Sequence, residues 1–156
     1  AFVNHLPPER RNGNLAAAYS DLVMSPDPAV HEPAALAWCQ WEEAHMSVAT
    51  GNAASLASLP PSSRLCFARL VTHYWANAAF LDNDHLITNA AKLAGIPTVL
   101  SHGRLDLSSP IDFPVALANA IPEAELYVAE RDGHGGSDMF NHLTAVTDRL
   151  AEPAKR

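Results

Sequence analysis

Two apolar runs of strand length, each leading into a helical stretch, constrain this chain more than any other feature. Ile96, Pro97, Thr98, Val99 and Leu100 form the first run; Leu126, Tyr127, Val128 and Ala129 form the second. Unbroken runs of this kind suit strands covered on both faces, and they predict strands over residues 96–101 and 125–130. Between them a helix is predicted from Pro110 to about Ala120, with Phe113, Val115, Leu117 and Ala118 as its apolar positions. After the second run, residues 137–150 carry Met139, Phe140, Leu143, Val146 and Leu150 at helical spacing. Strand, helix, strand, helix in succession predicts an α/β segment with parallel strands joined by a right-handed crossover.

Before residue 90 the pattern is helical throughout. Leu15 to Tyr19 and Leu22 to Met24 make one apolar stripe, ended by Ser25-Pro26-Asp27-Pro28. A second helix is predicted from Pro28 or Ala29 to about Ser47, burying Ala34, Ala35, Ala37, Trp38, Trp41 and Ala44. Pro33 is expected within its first turns, where a missing N–H matters least. Pro60-Pro61-Ser62-Ser63 breaks the chain. A third helix over residues 64–79 then carries Leu65, Phe67, Ala68, Leu70 and Val71. A shorter helix is predicted over residues 84–94, with Asp84 as its N-cap.

With 156 residues, 48% of them hydrophobic and 17% charged, the chain suits one globular body with a real core. The formal net charge of −7 and the lack of any Lys/Arg cluster argue against a nucleic-acid partner. No apolar run approaches the roughly 20 residues that span a bilayer, so no membrane association is expected. The N-terminal residues lack the basic and apolar regions of a signal peptide. Cys39 and Cys66 are expected to be buried thiols with no disulfide between them. Together these features predict a cytoplasmic protein.

The chemistry lies just after the two strands. The first is followed by G-R-L-D (residues 103–106) and the second by D-G-H-G-G (residues 132–136). An acid at one strand end and a histidine after the next match the order Ser, Asp, His in which α/β-hydrolases present a catalytic triad. Asp106 would hold an imidazole in one tautomer and stabilise its charged form. His134 would be the general base and then the acid that protonates the leaving group. The plainer alternatives are a turn aspartate capping the helix near Pro110, and an ordinary loop histidine among glycines. No G-x-S-x-G occurs in the sequence. Asp82-Asn83-Asp84-His85 lacks the length and the glycine of a calcium loop, and the histidines lack zinc-helix spacing; no metal site is expected.

Four pieces in order carry a resemblance: W-x-x-W-E (residues 38–42), A-R-L-V-T-H-Y-W (68–75), I-P-T-V-L-S-H-G-R-L-D (96–106) and D-G-H (132–134). With these, nearly the whole chain resembles the C-terminal half of proline iminopeptidases, serine aminopeptidases of the α/β-hydrolase fold. The resemblance implies a helical cap over residues 1–90. It also implies the last two parallel βα units of the catalytic core over residues 91–156. The nucleophile elbow would lie upstream of Ala1, and the isolated chain is expected to be inactive. Asp106 and His134 would be the triad acid and base, with no metal or organic cofactor. Glu42, last residue of W-x-x-W-E, would bind the substrate's α-amine through a charge-assisted contact; on residue type alone it reads as a solvated helix carboxylate, and the two tryptophans beside it turn the reading toward the amine.

The sequence departs from the family at Val71, where R-L-V-T-H-Y stands in place of R-I-E-N-H-Y and its second amine-binding glutamate. That departure keeps an esterase or amidase on the same fold open as an alternative to an aminopeptidase with proline preference. A catalytically inert structural chain is a third. The expected partners are a peptide or small-molecule substrate. Self-association is also expected, through the strand at residues 96–101, which would have an unpaired apolar edge.

Overall fold

A computed structural model describes residues 2–46 and 55–151. Among the described residues are six α-helices, several 3-10 turns and a two-stranded parallel sheet. The chain forms two compact units. The first comprises Ala1–Ala44 and Ala54–Asp82, and the second His45–Ala53 and Asn83–Arg156.

The first unit is helical. Helix α1 (Leu15–Val23) starts on Asn14, whose side chain accepts the Ala17 amide at 3.0 Å, the usual way an N-cap supplies an orphan donor with a partner. Its C-terminal end is held by α3 (Pro61–Ala76): the Arg69 Nε donates to the Val23 carbonyl at 2.8 Å. Helix α2 (Pro28–Met46) is capped by Asp27, whose carboxylate accepts the Ala29 amide at 2.9 Å. Pro33 lies in its second turn, so the Ala29 carbonyl loses its intrahelical donor.

The core of this unit is Leu6, Ala18, Tyr19, Val23, Ala34, Ala35, Trp38 and Ala68. Alanines at 18 and 68 let α1 and α3 approach closely, and large rings fill the rest. Phe2 stacks on Tyr19 with centroids 4.4 Å apart, while Trp38 meets Tyr19 edge-on at 5.4 Å. The Tyr19 hydroxyl donates to the Phe2 carbonyl at 2.9 Å, so the buried ring keeps a polar partner.

Helix α3 corrects two expectations. Leu70 is exposed rather than packed, because the buried face runs through Ala68 and Thr72 and Leu70 points half a turn away. Cys66 is exposed for the same reason, while Cys39 on α2 is buried; both are free thiols.

In the second unit, strand β1 (Val99–Gly103) pairs in parallel with β2 (Glu125–Ala129), Val99 opposite Glu125 and Gly103 opposite Ala129. Strand β1 starts three residues later than expected. Pro97 has no N–H to give a ladder, and Ile96 is instead bonded back to Leu93. Val99 to His102 are half-buried rather than covered on both faces, and each strand has a single paired neighbour among the described residues.

Helix α4 (His85–Asn89) begins after Asp84, which adopts φ 60° and makes no side-chain cap bond. The expected carboxylate cap is therefore absent: the left-handed backbone there differs from the extended conformation an N-cap uses. Helices α5 (Asp112–Ala120) and α6 (Ser137–Ala151) both pack on the two strands. Ile121, Ala129 and Val146 are buried, but Phe113, Phe140 and Leu150 are exposed, contrary to their expected core positions. Among the described residues, no helix is long and apolar enough to cross a membrane.

Candidate active site

Beyond their last paired residues the two strands remain laced together. The Arg104 amide donates to the Ala129 carbonyl and the Leu105 amide to the Asp132 carbonyl, each at 2.9 Å. The loops after β1 and β2 are thus carried side by side. Gly103 is required where they meet, because a Cβ there would collide with the carbonyl oxygens of Gly133 and Asp132. On the outside, Arg104 clasps Glu130 with two bonds of 2.8 and 2.6 Å; both side chains are well exposed, and such a pair contributes little on its own.

Lacing of the loops brings Asp106 and His134 together. His134 Nδ1 lies 3.0 Å from Asp106 Oδ2. Asp106 is buried, with 6% of its side chain exposed, against 47% for His134. The other carboxylate oxygen, Oδ1, accepts the Ser108 hydroxyl at 2.7 Å, the Ser108 amide at 2.9 Å and the Ser109 amide at 3.1 Å. The two oxygens have different partners: Oδ1 organises the turn at Ser108 and Ser109 rather than capping α5, and Oδ2 faces the imidazole. Burial pushes the Asp106 pKa up. Hydrogen bonds from the Ser108 hydroxyl, His134 and the Ser109 and Ser108 amides outweigh that effect, leaving it below the ordinary aspartate value.

An ionised carboxylate can only accept, so the His134 nitrogen facing it carries the proton. The lone pair of the neutral ring then lies on Nε2, which has no hydrogen-bond partner among the described residues. A base of this form takes a proton at Nε2 and spreads the resulting charge toward a buried anion. Ser108 Oγ, 2.9 Å from Nδ1, stands on the wrong nitrogen to be the group that His134 deprotonates.

The loop holding His134 is fixed by Asp132, a buried carboxylate whose Oδ2 accepts the Met139 amide at 2.7 Å in the first turn of α6. Gly136 is required beside it, since a Cβ there would collide with the Asp132 carboxylate. His102, on β1, lies 4.0 Å from Asp106 Oδ2, and its Nε2 is 2.7 Å from the Ser109 carbonyl, a donor position. Sequence reasoning missed Ser108, Asp132 and His102 as parts of this cluster. The signal for Asp132 was its place in D-G-H-G-G; nothing local distinguished Ser108 from its neighbour Ser109.

Glu42 belongs to the first unit, half-buried on α2. Its neighbour Glu43 accepts the Ala57 amide at 2.9 Å. Val71 lines an apolar hollow of about 270 Å³ with Leu70, Tyr74, Trp75 and Ala79. Cys39 is unsuited to nucleophilic chemistry, because burial pushes its thiol up to about 11. Among the described residues, no three His, Cys, Asp or Glu side chains converge as metal ligands do.

No family model matches the chain. Similar curated proteins are found over almost its full length. It is 41% identical over 155 residues to a Streptomyces coelicolor protein named "Probable proline iminopeptidase", covering 96% of this chain and 47% of that relative. Identity to the Neisseria meningitidis protein named "Proline iminopeptidase" is 36% over 138 residues, covering 88% of this chain and 43% of the relative. A Xanthomonas citri protein of the same name is 31% identical over 153 residues, covering 96% and 49%. The chain spans about half the length of the curated relatives it matches.

Proposed function

Since almost all of its length is similar to proteins of that name, the chain belongs to the proline iminopeptidase family, and we propose that it supplies the acid and the general base of a serine aminopeptidase. The observation that carries this reading is the buried Asp106 carboxylate on Nδ1 of His134, with Nε2 left to act as the base. In this reading residues 1–90 are the cap and 91–156 the end of an α/β-hydrolase core. The nucleophilic serine comes from sequence outside these 156 residues, which contain no G-x-S-x-G.

The proposed cycle follows from the proton positions. The serine hydroxyl attacks the first peptide carbonyl while His134 Nε2 removes its proton, and Asp106 stabilises the imidazolium. His134 then protonates the leaving amine, and water, activated at the same nitrogen, hydrolyses the acyl-enzyme. Glu42 provides the carboxylate for the substrate's α-ammonium group, the contact that makes such an enzyme an aminopeptidase.

A second reading is favoured by one observation. Val71 and its neighbours make an apolar hollow, an environment for a neutral group rather than an ammonium, so an esterase or amidase on the same machinery is the alternative. The test is hydrolysis of prolyl p-nitroanilide and of an uncharged acyl ester by the full-length polypeptide, with His134→Ala as the control. We expect turnover of the prolyl amide, lowered about 10⁶-fold by the substitution, as for loss of a triad histidine. Turnover of the ester alone would favour the second reading. Turnover that survives His134→Ala would end both.

A further inference from the structure

We propose that Ser108 is a positioning residue that locks the His134 ring onto Asp106, a role that rests on the serine-hydrolase reading above. Its Oγ is 2.7 Å from Asp106 Oδ1 and 2.9 Å from His134 Nδ1, while Nδ1 is 3.0 Å from Asp106 Oδ2. The three groups therefore close a ring of contacts. A hydroxyl has one proton to give and two lone pairs to receive with. The carboxylate can only accept, so the proton goes to Asp106 Oδ1 and the oxygen turns a lone pair toward Nδ1. The Nδ1–H is thus shared between Asp106 Oδ2 and Ser108 Oγ.

Sharing the proton between two acceptors has a mechanical effect. With one acceptor an imidazole can pivot about a single N–H···O line, and Nε2 sweeps through space as it does so. With acceptors at two points the ring plane is set. His134 is nearly half exposed, so in the absence of the hydroxyl water would compete for the same nitrogen. Ser108 is itself held, because its own amide donates to Asp106 Oδ1 at 2.9 Å. Among the bonds that draw the Asp106 pKa down against its burial, that from the Ser108 hydroxyl is the largest, consistent with one side chain serving acid and base together.

The experiment compares Ser108→Thr, Ser108→Val and His134→Ala in the full-length polypeptide, on a p-nitroanilide or ester it turns over. Threonine and valine have nearly the same shape, and threonine alone keeps the hydroxyl. We expect Ser108→Val to lower kcat about 10- to 100-fold, the worth of one hydrogen bond to a charged group, with KM unchanged. Ser108→Thr should stay within about 3-fold of the parent. Unchanged kcat in Ser108→Val, with His134→Ala inactive, would overturn the positioning role and leave the catalytic reading standing. Equal losses in Thr and Val would assign the effect to fit and overturn it as well. Full turnover in His134→Ala would remove the catalytic reading, and the role of Ser108 with it.

Discussion

The helical unit and the α/β unit are held together by different forces. In the first, Tyr19, Trp38, Val23 and Leu6 are buried almost completely around small alanines, and burial of large rings and aliphatic groups supplies the stability. The second buries fewer and smaller apolar groups, and leaves Phe113, Phe140, Leu105 and Leu107 exposed. Its distinctive order comes from strand ladders, inter-loop amide bonds and two buried carboxylates, Asp106 and Asp132. The difference teaches where chemistry can be placed: a packed aromatic core is indifferent to pH, whereas a site built on hydrogen-bonded carboxylates responds to it.

Emptying the aromatic core gives the largest expected effect. Trp38→Ala should cost about 3–5 kcal/mol, the usual range for removing a large buried ring, and the loss should be independent of pH between 5 and 8. Denaturant titration followed by tryptophan fluorescence measures it. A cost below about 1 kcal/mol would mean that this core is not what holds the helices.

Acidification should act on the other unit, and more gently. Asp106 has its pKa lowered in the folded state, so the stability it contributes is present above the unfolded value. It is lost as pH falls through the folded one. Denaturation midpoints measured from pH 5 down to pH 2 should fall more steeply for the parent chain than for Asp106→Asn. Parallel curves would break the contrast between the units.

The smallest effect concerns association. Strand β1 has one neighbour among the described residues, and apolar side chains lie exposed in the same unit; both favour weak pairing of copies of the isolated chain. Sedimentation over a hundredfold concentration range should show a rising average mass. A constant monomer mass would count against self-association.

Much of this architecture was legible because it depends on local pattern. The three long helices of the first unit and the two βα repeats follow from spacing, turn residues and prolines. Asp106 and His134 could be singled out because each follows a strand run. Other features were not legible, for identifiable reasons. Leu70, Phe113 and Phe140 fit an apolar stripe but are exposed, since composition does not say which part of a stripe finds a neighbour. Asp84 has the right residue type for a cap, yet its backbone is left-handed. Ser108 and Ser109 are identical in sequence terms, and only the path of the turn aims one hydroxyl at His134.

By itself, the sequence determined the order of helices and strands, the family and the pair of residues to watch, because periodicity, strand ends and short motifs are properties of neighbouring residues. Tertiary structure alone decided that Asp106 is buried while His134 stays half-exposed, that Nδ1 rather than Nε2 faces the carboxylate, and that Ser108 joins them. Those outcomes depend on two loops bonded amide to carbonyl across a parallel sheet, where tenths of an ångström set which atom donates to which.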